Sequence, residues 1–88
     1  MERSDATDRT PVTTLDRIGP ACRCRVVAVR ASGALRRRLL AMGVVSGAEV
    51  EVVRAAPFGD PTEYLVKGYH LSLRRAEASL IEVVSEGR

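Results

Sequence analysis

A mainly β protein, a small barrel of about five strands with one inserted α-helix, is predicted by two features of the sequence. Only residues 33–42 carry a helical period, whereas 22–30, 48–54, 62–67, 69–74 and 80–84 show the alternation or short apolar runs of half-buried strands. In a chain of 88 residues these strands must share a single core. Closing the sheet on itself is the economical way to hide its edges.

Residues 1–13 are polar, mixed in charge and aperiodic, and read as a disordered tail ahead of a domain at 14–84; residues 85–88 are expected to fray. In Thr14–Ile18, Leu15 and Ile18 are spaced as in one helical turn or a docked loop, which Gly19-Pro20 ends. Cys22–Arg30 is the first strand, with Cys24, Val26 and Ala28 on one face and Arg23, Arg25, Val27 and Val29 on the other. Both faces become apolar at its end, so the inward direction there is left to a bulge or bend.

The helix is bracketed by Ser32, an N-cap candidate, and Gly43, placed where a residue at positive φ closes a helix. Leu35, Leu39 and Met42 form one apolar stripe. Leu40 falls away from it, between Arg36 and Arg37, which leaves a large apolar side chain on a basic outward face. After a turn at Val44–Gly47, Val50 and Val52 share one face of the next strand. Pro57 and Pro61 lack the amide a ladder needs and, with Gly59-Asp60, make a reversal. Thr62–Lys67, a turn at Gly68, and Tyr69–Arg74 follow, with Tyr69, Leu71 and Leu73 expected as a buried aromatic-aliphatic face. Arg75–Ala78 suits one turn of 3₁₀ helix, and Leu80–Val84 is the last strand.

The series Arg38-Leu39, Met42-Gly43-Val44, Gly47, Val50–Arg54 and Ala56-Pro57-Phe58-Gly59-Asp60-Pro61 resembles the signature of the FeoA family, small cytosolic accessory proteins of bacterial ferrous-iron uptake. Gly68-Tyr69-His70-Leu71-Ser72-Leu73-Arg74, Glu77-Ala78 and Ile81-Glu82-Val83 continue it, so that the resemblance spans Leu15 to Val84. Ser46 departs from it, standing where family members commonly carry proline. The resemblance implies an SH3-like barrel. It also implies a non-enzymatic adaptor whose partner is the FeoB membrane transporter, through the transporter's cytosolic GTPase-bearing part.

Composition narrows the alternatives. Basic residues number 14 against 11 acidic, a surplus of +3. So small a surplus is as compatible with a solvated surface as with an acidic partner. No apolar run approaches the ~20 residues of a membrane-spanning helix. Met1–Thr10 has no apolar signal region, so the expected location is the cytoplasm, without membrane insertion. Cys22 and Cys24, two apart, would be strained as a disulfide and are expected as free, packed thiols.

No catalytic residues, cofactor site or metal site are expected. His70, the one histidine, lies on an outward strand face, and a Cys24–His70 dyad would lack a sheltered pocket and an orienting third group. The familiar zinc-binding C-x₂-C pair is absent, and so is a phosphate-binding G-x-x-x-x-G-K-[ST] loop. The main rival is an SH3-like regulatory module that binds nucleic acid or acts with a metal-responsive repressor, using Arg36–Arg38 and Arg74-Arg75 on phosphates. Against it, the chain has only Phe58, Tyr64 and Tyr69 as stacking residues, and no helix-turn-helix. Protein contact remains, with Arg36, Arg37, Leu40 and the loop-tip Phe58 as the expected partner-binding residues. Self-association is a further possibility.

Overall fold

The computed structural model describes residues 11–87. The chain runs β1 (Val12–Thr14), a 3₁₀ turn (Leu15–Arg17), β2 (Arg23–Val29), α1 (Gly33–Ala41), β3 (Glu49–Ala55), β4 (Thr62–Val66), β5 (Tyr69–Leu73), α2 (Arg75–Ala78) and β6 (Ile81–Gly87). The strands form a six-stranded sheet in the order β1-β6-β2-β3-β4-β5. Every pairing is antiparallel.

The additional strand is β1, which pairs with β6 through Val12↔Val84 and Thr14↔Glu82. Val12 and Thr13, within the segment read as a tail, belong to β1, and β6 runs to Gly87. The rest of that tail, residues 1–10, and residue 88 lie outside the described residues. The 3₁₀ turn after β1 drops Leu15 into the core at 1% exposure.

A bulge decides the face of β2. Its ladder with β6 pairs Val26 with Val83 and then Ala28 with Glu82, skipping Val27. Cys24 and Val26 are buried before the skip, whereas Val29, opposite Ile81, packs against the core after it. The extra residue reverses the parity of the strand, leaving Val27 exposed. In β3 the inward residues are Val50 and Val52.

α1 is closed as its glycine predicts. Gly43 has φ 95°. Its amide donates to the Leu40 carbonyl at 3.0 Å and the Val44 amide to the Leu39 carbonyl at 2.9 Å, the paired bonds of a Schellman motif. Leu39 and Val44, at 0% and 1% exposure, supply the hydrophobic contact that accompanies it. The N-terminal expectation fails in detail: the Ser32 hydroxyl makes no capping bond, and Ser32 instead offers its carbonyl to the Arg36 amide.

Lys67 and Gly68, at φ 52° and 84°, form a two-residue hairpin closed by Val66↔Tyr69. Tyr69 lies on the same side as Leu71 and Leu73 but is 66% exposed, a correction to the expected burial. It sits at the turn end of an edge strand, past the reach of the core. The buried tyrosine is Tyr64 of β4, at 2%. α2 is α-helical rather than 3₁₀, its amides at Ala78 and Ser79 reaching back four residues to Arg74 and Arg75.

Leu39→Ala is expected to lower unfolding free energy by about 2–5 kcal/mol, the range for emptying a core leucine site. Leu40→Ala is expected to cost under about 1 kcal/mol. Urea denaturation followed by circular dichroism measures both, and the reverse ranking would overturn the orientation of α1.

Candidate functional site

α1 presents the basic and apolar surface anticipated from its wheel. Leu40 is 37% exposed, and Arg36, Arg37 and Arg38 are all exposed around it. No acidic residue occurs between Arg30 and Ala48. The arginines nevertheless differ in their freedom. Arg36 donates from Nη1 to the Val29 carbonyl at 2.9 Å, fastening α1 to the end of β2. Arg38 pairs with Glu77 of α2 at 3.5 Å. Among the described residues Arg37 has no such partner, so it is the cation most available beside Leu40.

Phe58, the second apolar candidate, is 97% exposed at the tip of the β3–β4 loop and does not fold over the end of the sheet. The loop beneath it is ordered by the Ala56 amide on the Pro61 carbonyl and the Gly59 amide on the Ala56 carbonyl. Asp60 then reaches across to α2, accepting the Arg75 amide at 2.9 Å, a carboxylate placed on first-turn donors that the helix cannot itself satisfy. Glu77 accepts the Arg74 amide at 2.9 Å, so a second carboxylate holds this end. Arg36, Arg37 and Leu40 thus share one helix, whereas Phe58 belongs to a separate element fastened to α2. Because Glu77 also holds Arg38, α2 is the piece between the loop and α1.

Beside the loop lies a shallow groove of about 480 Å³, lined by Arg54, Ala55, Ala56, Pro57, Pro61, Glu63 and Ser72. A polar row crosses the outward face there: Glu63 pairs with Arg54 at 3.3 Å and lies 2.6 Å from His70 Nδ1. Alternation gave the outward direction of His70 alone; it would set Arg54 on the face of Val50 and Val52, and the register shift between Val52 and Arg54 in the β3–β4 ladder turns Arg54 outward instead.

The structure does not bring Cys24 and His70 together. Cys24 is in the core with its thiol donating to the Val50 carbonyl at 3.6 Å, and His70 is exposed on the outward side of an edge strand. Burial, with Glu86 and Glu49 adding, pushes the Cys24 thiol from 9.0 up to about 11, which keeps it protonated and unreactive near neutrality. Cys22 is also a free thiol. Burial likewise pushes the Tyr64 phenol from 10.0 up to about 12, against a hydrogen bond from Thr62 that favours ionisation. Among the described residues no three His, Cys, Asp or Glu side chains gather as metal ligands. Nor is any helix among them long and apolar enough to cross a membrane.

The FeoA domain family model matches residues 13–85. The chain belongs to the FeoA family. A FeoA protein from Chlorobium tepidum, solved in solution, is 40% identical with a TM-score of 0.80, covering 84% of this chain and 70% of that one. The FeoA of Stenotrophomonas maltophilia, solved in complex with zinc and described as an SH3 domain protein, is 32% identical with a TM-score of 0.73, covering 81% and 88%. The fold is accordingly SH3-like. A Porphyromonas gingivalis protein described as a fusion of Fe(2+) transport protein A with the Fe(2+) transporter FeoB is 45% identical over 58 residues. That match takes in 66% of this chain but only 7% of the fusion protein. A manganese-dependent transcriptional repressor reaches a TM-score of 0.76 at 18% identity, covering 86% of this chain and 42% of that one, a likeness of fold alone. The FeoA family is one of small accessory domains in ferrous-iron transport.

The two raised groups give this FeoA domain a defined alkaline response. Each holds its proton more tightly folded than unfolded, so the stabilisation is complete below pH 9.0 for Cys24 and pH 10.0 for Tyr64 and is lost by about 11 and 12. The loss is roughly 2–3 kcal/mol for each group. Thermal melts should show a constant midpoint at neutral pH and a fall from about pH 9 upward, with Tyr64→Phe removing the later part of the decline.

Proposed function

We propose that this protein is a cytoplasmic, non-enzymatic adaptor of ferrous-iron uptake that binds the cytosolic, GTPase-bearing part of a FeoB transporter. The observation that carries this reading is the relative in which a similar domain is joined to FeoB in one polypeptide. Covalent joining converts an encounter into an intramolecular event, which suits a domain that works on its neighbour through a small surface. The physical surface agrees. Leu40 and Phe58 are apolar anchors held on ordered backbone, and Arg37 beside Leu40 offers a charge that no ion pair engages among the described residues. Arg36 completes the rim from its post at Val29. Iron is the cargo of the transport system in this reading, and the chain's own part is contact.

The same details weigh against phosphate binding by α1. Of the three consecutive arginines, one is engaged with a backbone carbonyl and another with Glu77. A phosphate backbone would have to compete for both, and the likeness to a repressor is one of fold alone.

Titration of the purified chain against the soluble cytosolic domain of the FeoB transporter from the same source should give saturable binding. Leu40→Glu is expected to weaken it about 30-fold or more, the effect of losing a central anchor. Circular dichroism of the variant should be unchanged. Absence of binding by the folded chain at high concentration would overturn the proposed partner domain.

A further inference from the structure

We propose that the open edge of β5 is a strand-addition site for an extended segment of a partner protein with acidic residues at its ends. β5 is the last strand of the sheet, and its one ladder is with β4. The hairpin at Lys67-Gly68 fixes which backbone groups remain. A two-residue turn makes its flanking pair, Val66↔Tyr69, a hydrogen-bonded one, and such pairs alternate along an antiparallel ladder. Tyr69, Leu71 and Leu73 therefore bond back to β4, whereas His70 and Ser72 turn their N–H and C=O groups to the open side. Among the described residues no backbone bond satisfies them.

This edge lacks the usual obstacles to pairing. β5 contains no proline, and its ladder with β4 runs without a register shift, unlike the ladders of β2 with β6 and β3 with β4. The opposite edge of the sheet, β1, is three residues long. β5 thus offers the longer regular template.

Charge selects the occupant. From Tyr64 to Ala76 the sequence holds no acidic residue, and β5 is flanked by Lys67 on one side and Arg74-Arg75 on the other. None of these three side chains forms an ion pair among the described residues. A second copy paired antiparallel about Leu71 would set Lys67 opposite the other copy's Arg75, and like charges facing across a ladder oppose pairing. An added strand with carboxylates at both ends reverses that sign. Its side chain opposite Ser72 stands on the same face as the groove that Ser72 helps to line, next to Ser72 on the side away from its β4 partner Glu63. Backbone pairing then supplies the attachment, and the end charges with the groove supply selectivity. Nothing in this inference requires FeoB.

The probe is a synthetic peptide of alternating Thr and Val with paired Asp at each end, titrated into the full isotope-labelled chain. The expected result is amide shift changes confined to β5 and its turn, with exchange of the His70 and Ser72 amides slowed at least tenfold at saturation. Affinity should fall with added salt and with Lys in place of Asp. Ser72→Pro deletes one outward amide without touching the β4 ladder and should abolish binding. A peptide N-methylated at alternate amides, tested on the unaltered chain, should fail likewise and decides the matter if Ser72→Pro unfolds. Shifts centred on α1, equal binding of the Lys peptide, survival of binding after N-methylation, or pairing of β5 with a second copy in sedimentation would each overturn the proposal.

Discussion

The contact between Leu39 and Val44 across Gly43 is the constraint on which the surface of this domain depends. Both side chains are fully buried, and the four residues between them must turn from helix to loop without moving either out of the core. Only a residue comfortable at φ 95° makes that turn, and the two back-directed bonds it permits satisfy carbonyls that would otherwise be stranded at the helix end. With Leu39 pinned inward, helical geometry leaves Leu40 no choice but the outside. The exposed leucine follows from the closure of the helix.

Around that closure the connections are tied to one another by charge. Asp60 holds the first turn of α2, Glu77 holds Arg38, and Glu82 holds Arg30 at 3.2 Å. These are exposed pairs, each contributing little to stability alone. Their effect is positional: they fix the loop bearing Phe58 and the helix bearing Leu40 against a common short helix. They also consume part of the arginine surplus, which distinguishes Arg37 from its neighbours.

Legibility in the sequence followed the range of the interaction concerned. The phase of α1, the turn at Gly43 and the inward face of β3 at Val50 and Val52 are set by residues close in sequence, and spacing displayed them. The fate of Val27 and Val29 depended on how many residues β6 offers in return, so alternation raised the question and only the pairing answered it. Tyr69 shows a different limit: period tells which side a residue faces, not how far the core extends beneath it. β1 was invisible because three residues carry no period, and its ordering comes from β6, some seventy positions away. Family resemblance supplied the iron-transport context, which no spacing or charge count contains. The proposed contact residues came from position alone, which set Arg36, Arg37 and Leu40 on the helix and Phe58 on a loop tip; the tie of both elements to α2 through Glu77 and Asp60 joins residues far apart in sequence and was beyond its reach.

The pairing of the first strand with the last has an architectural consequence. Because Val12 faces Val84 in an antiparallel ladder, the described chain enters and leaves the sheet as neighbouring threads. A unit with adjoining ends behaves as a plug-in module: it can be spliced onto or into another polypeptide while requiring little span from the junctions and no rearrangement of its interior. Evolution can then trade a diffusing accessory for a tethered one, as the Porphyromonas gingivalis fusion illustrates, by altering linkers and leaving the module as it is.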